Sequence, residues 1–185
     1  MTENPEFALI NRVLAGEHQL YAELVNKYQS YAYTIALKIV ESRPEAEEIA
    51  QDGFIKAFKN LSSFNQEAKF STWLYRIVFN TAITYKRKGK HVFQSIEKTV
   101  IEHRQEADGN LEQEDKRRFI KNALAGLNAT DRLVITLFYL KELSLEEIAE
   151  ITSMQTNTVK VRLHRARLRL GDELQTLLKK EALTL

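Results

Sequence analysis

The stretch LSLEEIAEITSMQTNTVKVRLHRARLRL, residues 143–170, decides the fold. Ser144 and Glu147 stand at capping-box spacing, in which the hydroxyl and the carboxylate each satisfy a backbone N–H at a helix start. Leu145, Ile148, Ala149 and Ile151 follow on one helical face, and the polar turn Thr152-Ser153-Met154-Gln155 ends it. Beyond the turn, Val159, Leu163, Ala166 and Leu170 share one side of a second helix, with Lys160, Arg162, Arg165, Arg167 and Arg169 spread over the rest. The first helix is acidic at Glu146, Glu147 and Glu150, and the second carries no carboxylate. This is the pattern of a helix-turn-helix unit whose second helix enters the major groove, where arginine engages guanine edges and phosphates. A helical hairpin with a cationic, solvated outer face would show the same pattern.

Working toward the N-terminus, helical spacing persists nearly everywhere and no period-two strand stands out. Asn128 is placed to cap a helix with Asp131 in its first turn and Leu133, Val134, Leu137 and Phe138 on its apolar side. Phe119, Ile120, Ala123 and Leu124 predict a shorter helix ending at Gly126. From about Gly89 to Asn110 the periodicity fades into polar and charged residues, which predicts a flexible linker. Before it, Phe7 to Leu14 reads as a short helix ended by Gly16, and Tyr21, Leu24, Val25, Tyr28, Ala32, Ile35 and Ile39 form the stripe of a longer one. Ser42 and Glu45 repeat the capping-box spacing, with Pro44 in the first turn. Ala46, Ile49, Ala50, Gly53, Phe54, Ala57 and Leu61 then form a buried stripe, and Ser71 is placed to cap a helix running to about Gly89. The fold class is all-α: an N-terminal bundle of three to four helices and a C-terminal helix-turn-helix domain.

The chain has no cysteine, which removes disulfide frameworks, thiolate zinc sites and cysteine nucleophiles. Its histidines, His18, His91, His103 and His164, lie far apart, with no paired-ligand spacing, and no phosphate loop or nucleophile motif is present. No catalytic site, metal or cofactor is expected. Neither a leader segment nor a run of apolar residues long enough to span a membrane stands out, so a cytoplasmic protein without membrane contact of its own is expected. The net charge of +2 hides an uneven distribution. Lys69 to Ser95 and Met154 to Gly171 contain no acidic residue, while the charges from Glu97 to Asp115 are mostly acidic. Either basic run alone could be a solvated helix face, but two of them divided by an acidic segment favour a polyanionic partner touched at two places.

In the helix after Pro44, the residues facing away from the buried stripe are Glu48, Gln51, Asp52 and Ile55, an acidic strip suited to a basic protein surface or to solvent. The segment FNQEAKFSTWLYRIVFNTAITYKRKGK, residues 64–90, interleaves Phe64, Phe70, Trp73, Tyr75, Phe79 and Tyr85 with Lys69, Arg76, Lys86 and Arg87. Aromatic faces stack on unpaired bases and cations follow the backbone, so this mixture suits single-stranded or opening DNA. Core packing claims some of these rings, Trp73 among them.

AEEIAQDGFIKAF at Ala46 to Phe58, FSTWLYRIVFNTA at Phe70 to Ala82, and LSLEEIAEI with NTVKVRLHRAR at Leu143 to Arg167 together resemble the extracytoplasmic-function (ECF) sigma factors, from about Phe7 to Leu170. The resemblance implies region 2 over residues 1–90, a linker over 91–111 and region 4 over 112–185. It implies a promoter-specific initiation factor, not an enzyme, that binds core RNA polymerase through the beta-prime clamp and the beta subunit. Glu48, Gln51, Asp52, Phe54 and Ile55 then match the polymerase-docking segment. Asn65, Lys69, Phe70, Ser71, Tyr75, Arg76, Asn80, Lys86 and Arg87 match the part that holds the minus-10 element, and Thr158, Lys160, Arg162, His164 and Arg165 the part that faces the minus-35 element. An anti-sigma protein is an implied partner, one that could hold the chain at the inner membrane face. The turn reads Gln155-Thr156-Asn157 where the family often has a proline and a glycine; Asn157 can cap a helix, so altered entry geometry without loss of the motif is expected. A conventional helix-turn-helix regulator is the rival reading. It accounts for residues 143–170 but leaves the acidic strip and the basic-aromatic segment unused. A nucleic-acid-processing enzyme is a second.

Overall fold

The computed structural model describes residues 4–92 and 119–182, and every regular element among them is helical. Helix α1 (Pro5–Leu14) starts at Asn4, whose side chain accepts from the Glu6 amide. It gives way at Gly16, whose φ of 114° would strain any side chain. Helix α2 (Tyr21–Val40) buries Leu24, Tyr28, Ala32, Ile35, Ala36 and Ile39. Helix α3 (Arg43–Lys59) buries Ala46, Ile49, Ala50, Gly53, Phe54 and Ala57, and Leu61 completes the stripe in a following 3-10 turn. The capping box expected at Ser42 does not form: Ser42 makes no capping hydrogen bond. Pro44 sets the first turn through its fixed φ.

Helix α4 (Phe70–Val92) begins before the expected cap. The Lys69 carbonyl accepts from the Thr72 and Trp73 amides, so Ser71 lies inside the first turn. The start is fixed by packing, because fully buried Phe70 sits among the rings of Tyr28, Phe64 and Trp73 at centroid distances of 5.7, 5.6 and 5.7 Å. The helix also runs past Gly89, the expected stop. Apart from residues 91 and 92, the expected linker lies outside the described residues.

The C-terminal half starts with helix α5 (119–125). Helix α6 (Ala129–Lys141) follows, capped by Asn128 as its spacing predicts. Helix α7 (Leu145–Thr152) opens with the Ser144–Glu147 capping box, both bonds present, and closes on Ser153 in the left-handed region at φ 54°. Helix α8 (Thr156–Ala182) extends well past Leu170. Its first turn already contains Asn157, which therefore caps nothing, and the Gln155 carbonyl takes the Val159 amide.

Helices α2, α3 and α4 pack on one another, as do α6, α7 and α8. The two halves also touch, α4 against α7 and α2 against α6. Burial of apolar side chains supplies the driving force in each half, at roughly 25 cal/mol per Å² removed from water. Its largest fully buried members include Phe70, Leu24, Ile35, Ile49 and Leu74 in one half, and Leu133, Leu137, Ile148 and Ile151 in the other.

Candidate nucleic-acid interface

Helices α3 and α4 approach closely at Gly53, where an added Cβ would stand 2.6 Å from Val78 Cγ2. This crossing fixes two outward strips relative to each other. On α3, Glu48, Gln51, Asp52 and Ile55 are exposed, Ile55 at 52%. Phe54, which matched the docking segment, is turned into the core instead, and its carbonyl accepts from the Tyr21 hydroxyl at 2.9 Å. On α4, Arg76, Asn80, Ile83 and Arg87 are exposed at helical spacing and make one cationic stripe.

The remaining candidates of the basic-aromatic segment divide by burial. Phe70 and Tyr75 are core residues, and so are Phe64 and Phe79. Tyr75 stacks on Tyr31 with centroids 5.6 Å apart, and burial pushes its phenol far above the ordinary value of 10.0. Trp73 is half-buried against Phe64 at 5.4 Å. Its ring borders a groove of about 420 Å³ lined also by Lys56, Asn60, Ser63, Ile77, Asn80, Thr81 and Thr84. Lys56 donates to Thr81 Oγ1 at 3.2 Å across this groove. Sequence reasoning missed Lys56, Asn60 and Thr84; their place on the polar faces of two adjacent amphipathic helices was the available signal. Asn65 is exposed and donates to Glu67, Ser71 is half-buried, and Lys86 donates to the Ile39 carbonyl at 2.5 Å.

On α8 the core stripe of Val159, Leu163 and Ala166 fixes which residues face outward. Thr158, Lys160, His164 and Arg165 are exposed, with Val161 between them at 48%. Arg162 is turned sideways to Asp131 of α6, Nη1 to Oδ1 at 2.8 Å, and Arg169 reaches the other oxygen at 3.4 Å. Arg167 lies over the rings of Phe138 and Tyr139, 5.4 and 5.2 Å from their centroids. No group of three His, Asp or Glu side chains converges to hold a metal ion among the described residues, and none of their helices is long and apolar enough to cross a membrane.

Among the described residues, three polar contacts join the halves. Lys69 Nζ meets Glu147 Oε1 at 2.6 Å, Arg132 Nη2 meets Glu41 Oε1 at 3.1 Å, and Lys141 Nζ sits 3.5 Å from the Tyr31 ring centroid. Burial pushes the Glu147 carboxyl up, but hydrogen bonds from Lys69 and from the Ser144 amide, with the Lys69 charge, bring it below the ordinary 4.5. Lys38 of α2 is pushed down by burial, with Arg132 and Lys121 adding repulsion.

Comparison with known proteins supplies the remaining observations. Sigma-70 region 2 matches residues 24–92 and sigma-70 region 4 matches residues 119–170. The chain is 35% identical over 179 residues to the ECF RNA polymerase sigma factor SigW of Bacillus subtilis, covering 91% of this chain and 96% of that protein. It is 31% identical over 183 residues to the ECF RNA polymerase sigma-E factor of Escherichia coli K12, covering 93% and 95%. Among solved structures it is similar to the sigma factor RpoE of Bartonella quintana, solved with the anti-sigma factor NepR, at TM-score 0.67 and 28% identity over 84% of this chain and 96% of that one. CnrH, solved with the cytosolic domain of CnrY, has the same fold at TM-score 0.67 and 21% identity, over 91% and 96%.

Proposed function

The chain belongs to the ECF group of the sigma-70 family, the promoter-specific initiation factors of RNA polymerase, and on that premise we propose how its surfaces divide the work. Region 2 occupies residues 1–90 and region 4 residues 112–185, with 91–111 between them. Glu48, Gln51, Asp52 and Ile55 dock on the clamp of the beta-prime subunit. Arg76, Asn80 and Arg87, with Asn65, Lys69, Ser71 and Lys86 near the start and end of α4, take the minus-10 element. Thr158, Lys160, His164 and Arg165 face the minus-35 element.

The observation that carries this division is the α3–α4 crossing. The acidic strip and the cationic stripe point outward from two helices locked together at Gly53 and Val78, so one rigid pair can hold a protein on one side and a strand on the other. Charge sorts the partners, since carboxylates repel phosphate and suit a basic protein surface. A conventional regulator would need no such pair, and it leaves the region 2 match at residues 24–92 without a use.

The work is cytoplasmic, where the polymerase is. RpoE of Bartonella quintana was solved bound to an anti-sigma factor, and we extend that kind of partner to this chain. Such an inhibitor could also hold it at the inner membrane face.

Pull-down of core polymerase by the purified chain, followed by run-off transcription from the two components, tests the reading. Wild type is expected to form a holoenzyme that initiates at defined promoters. Reversing charge at Glu48→Lys and Asp52→Lys is expected to lower the yield of that complex on the order of tenfold or more, as like charges meet. Undiminished holoenzyme with the doubly reversed chain refutes the docking assignment, and no association of wild type with core polymerase refutes the whole.

A further inference from the structure

Asp131 is a carboxylate with only 5% of its side chain exposed, in the domain that has to approach polyanionic DNA. It stands in the first turn of α6, and Asn128, which caps that helix, donates to its Oδ2 at 2.6 Å. Its two oxygens receive Arg162 Nη1 at 2.8 Å and Arg169 Nη1 at 3.4 Å. Arg162 and Arg169 lie two turns apart on α8, so one carboxylate engages both from one flank. On the other flank Arg167 is laid over Phe138 and Tyr139. Among the described residues, Arg165 is the arginine of α8 for which no such hold on α6 is seen.

Free arginines on a recognition helix would bind phosphate wherever they met it. That affinity is sequence-independent, so it strengthens every competing site along with the specific one and narrows the ratio between them. The Asp131 contact is also an unpromising choice for stability alone. Arg162 Nε is buried with no acceptor among the described residues, and a buried ion pair is often no better than apolar packing of the same volume.

We propose that Asp131 is a specificity-determining residue: by holding Arg162 and Arg169 against α6 it keeps two cations off the phosphates and confines DNA contact to the outward face of α8. Arg162 is then a positioning residue, not a base reader. This rests on the assignment of α8 to the minus-35 element.

The test uses the full chain and two labelled duplexes: a minus-35 duplex recovered by the wild-type holoenzyme from a randomised pool, and a scrambled duplex of equal length. Affinity is measured across a salt series. Asp131→Asn keeps the shape and the capping geometry while removing the charge. It is expected to steepen the salt dependence on the scrambled duplex by about one to two counterions and to reduce the specific-to-scrambled ratio on the order of tenfold. Loss of a merely structural prop would not add counterions. Arg162→Gln with Arg169→Gln is expected to leave the wild-type slope in place, because neither side chain is on the DNA, and this arm stands even if Asp131→Asn folds poorly. A slope shallower by about one in the arginine variant shows a direct phosphate contact and overturns the proposal. An unchanged slope and ratio in folded Asp131→Asn also overturns it while leaving the minus-35 assignment intact. Failure of the wild-type holoenzyme to enrich any minus-35 sequence overturns both.

Discussion

Replacing Gly53 with alanine puts a methyl group where α3 and α4 leave no room. The new Cβ would lie 2.6 Å from Val78 Cγ2 and 3.5 Å from Val78 Cα and Cβ. Carbon atoms in contact prefer about 3.5–4.0 Å, so the shortfall at Cγ2 is about 0.9 Å. Val78 is fully buried, and a helical valine holds one χ1 rotamer about 90% of the time, so it has little freedom to turn away. Overpacking of this kind costs about 1–3 kcal/mol. Alanine recovers about 1 kcal/mol of helix propensity relative to glycine, which leaves a net loss of up to about 2 kcal/mol, toward the upper end for a clash of this depth. Trp73 is the single tryptophan and belongs to the same bundle, so its fluorescence in a urea titration follows this half of the chain. With a slope of about 2 kcal/mol per molar urea, the middle of the usual range, the midpoint is expected to fall by up to roughly 1 M. Val78→Ala removes the obstructing methyl, so the double variant should lose less than the sum of the two singles by about 1 kcal/mol. A Gly53→Ala midpoint at or above that of wild type, or strict additivity in the cycle, would refute the argument from close approach.

Other outcomes follow from the same geometry. Arg165→Ala removes the outward arginine of α8 and should cost about 1–3 kcal/mol of discrimination if it meets a base; run-off yield at a promoter that depends on its minus-35 element reads this, and an unchanged yield rejects the role. Lys38→Gln should raise the stability midpoint at neutral pH, because the ammonium is held below its ordinary 10.5 and folding is therefore opposed while it stays protonated. The gain should shrink as pH rises and vanish above 10.5, so a gain independent of pH would point to another cause. The Glu147 carboxyl has the opposite sign: its folded value lies below the ordinary 4.5, so its contribution is complete above 4.5 and is lost as pH falls through the lower folded value. Glutamine at 147 has nothing to titrate, so the stability lost on acidification should be smaller in Glu147→Gln than in wild type; urea midpoints that fall equally with pH in both would remove Glu147 from the contact.

The sequence made visible what depends on local spacing. The buried stripes of α2, α3 and α8 and the capping box at Ser144 can be read from residues three and four apart, because helix geometry turns spacing into a face. Where a local signal met a tertiary demand, the tertiary demand won. Ser71 has the chemistry of a cap, yet the burial of Phe70 moved the helix start ahead of it. Ser42 and Glu45 have the spacing of a box, yet Ser42 makes no capping hydrogen bond and Pro44 sets the first turn by itself. The interleaved rings of residues 64–90 suggested stacking on bases, but alternation in sequence does not say which rings face inward, and Phe64, Phe70, Tyr75 and Phe79 do. Arg162 likewise carries the charge expected of a DNA contact, and only the position of α6 beside α8 shows that Asp131 engages it.

The contacts between the halves join residues as far apart in sequence as Lys69 and Glu147, beyond the reach of any periodic pattern. Their consequence for the proposed division of work is competition. The Lys69 charge held at Glu147 is partly neutralised toward a minus-10 phosphate, and the Tyr31 ring that lies under Lys141 is the ring stacked on Tyr75. Glu147 has a further role as the capping carboxylate of α7, so it keeps one hydrogen bond when Lys69 leaves, and α7 retains its start. Separation of the halves therefore frees Lys69 on the N-terminal side, and Arg132 and Lys141 on the C-terminal side, without unmaking the helix-turn-helix. Each of these contacts is individually weak, since Lys69 and Glu41 are largely exposed and surface ion pairs contribute about 0–1 kcal/mol. Association with a large polymerase surface and with DNA together can outweigh such a set, whereas a short duplex alone has far less binding energy to spend on it.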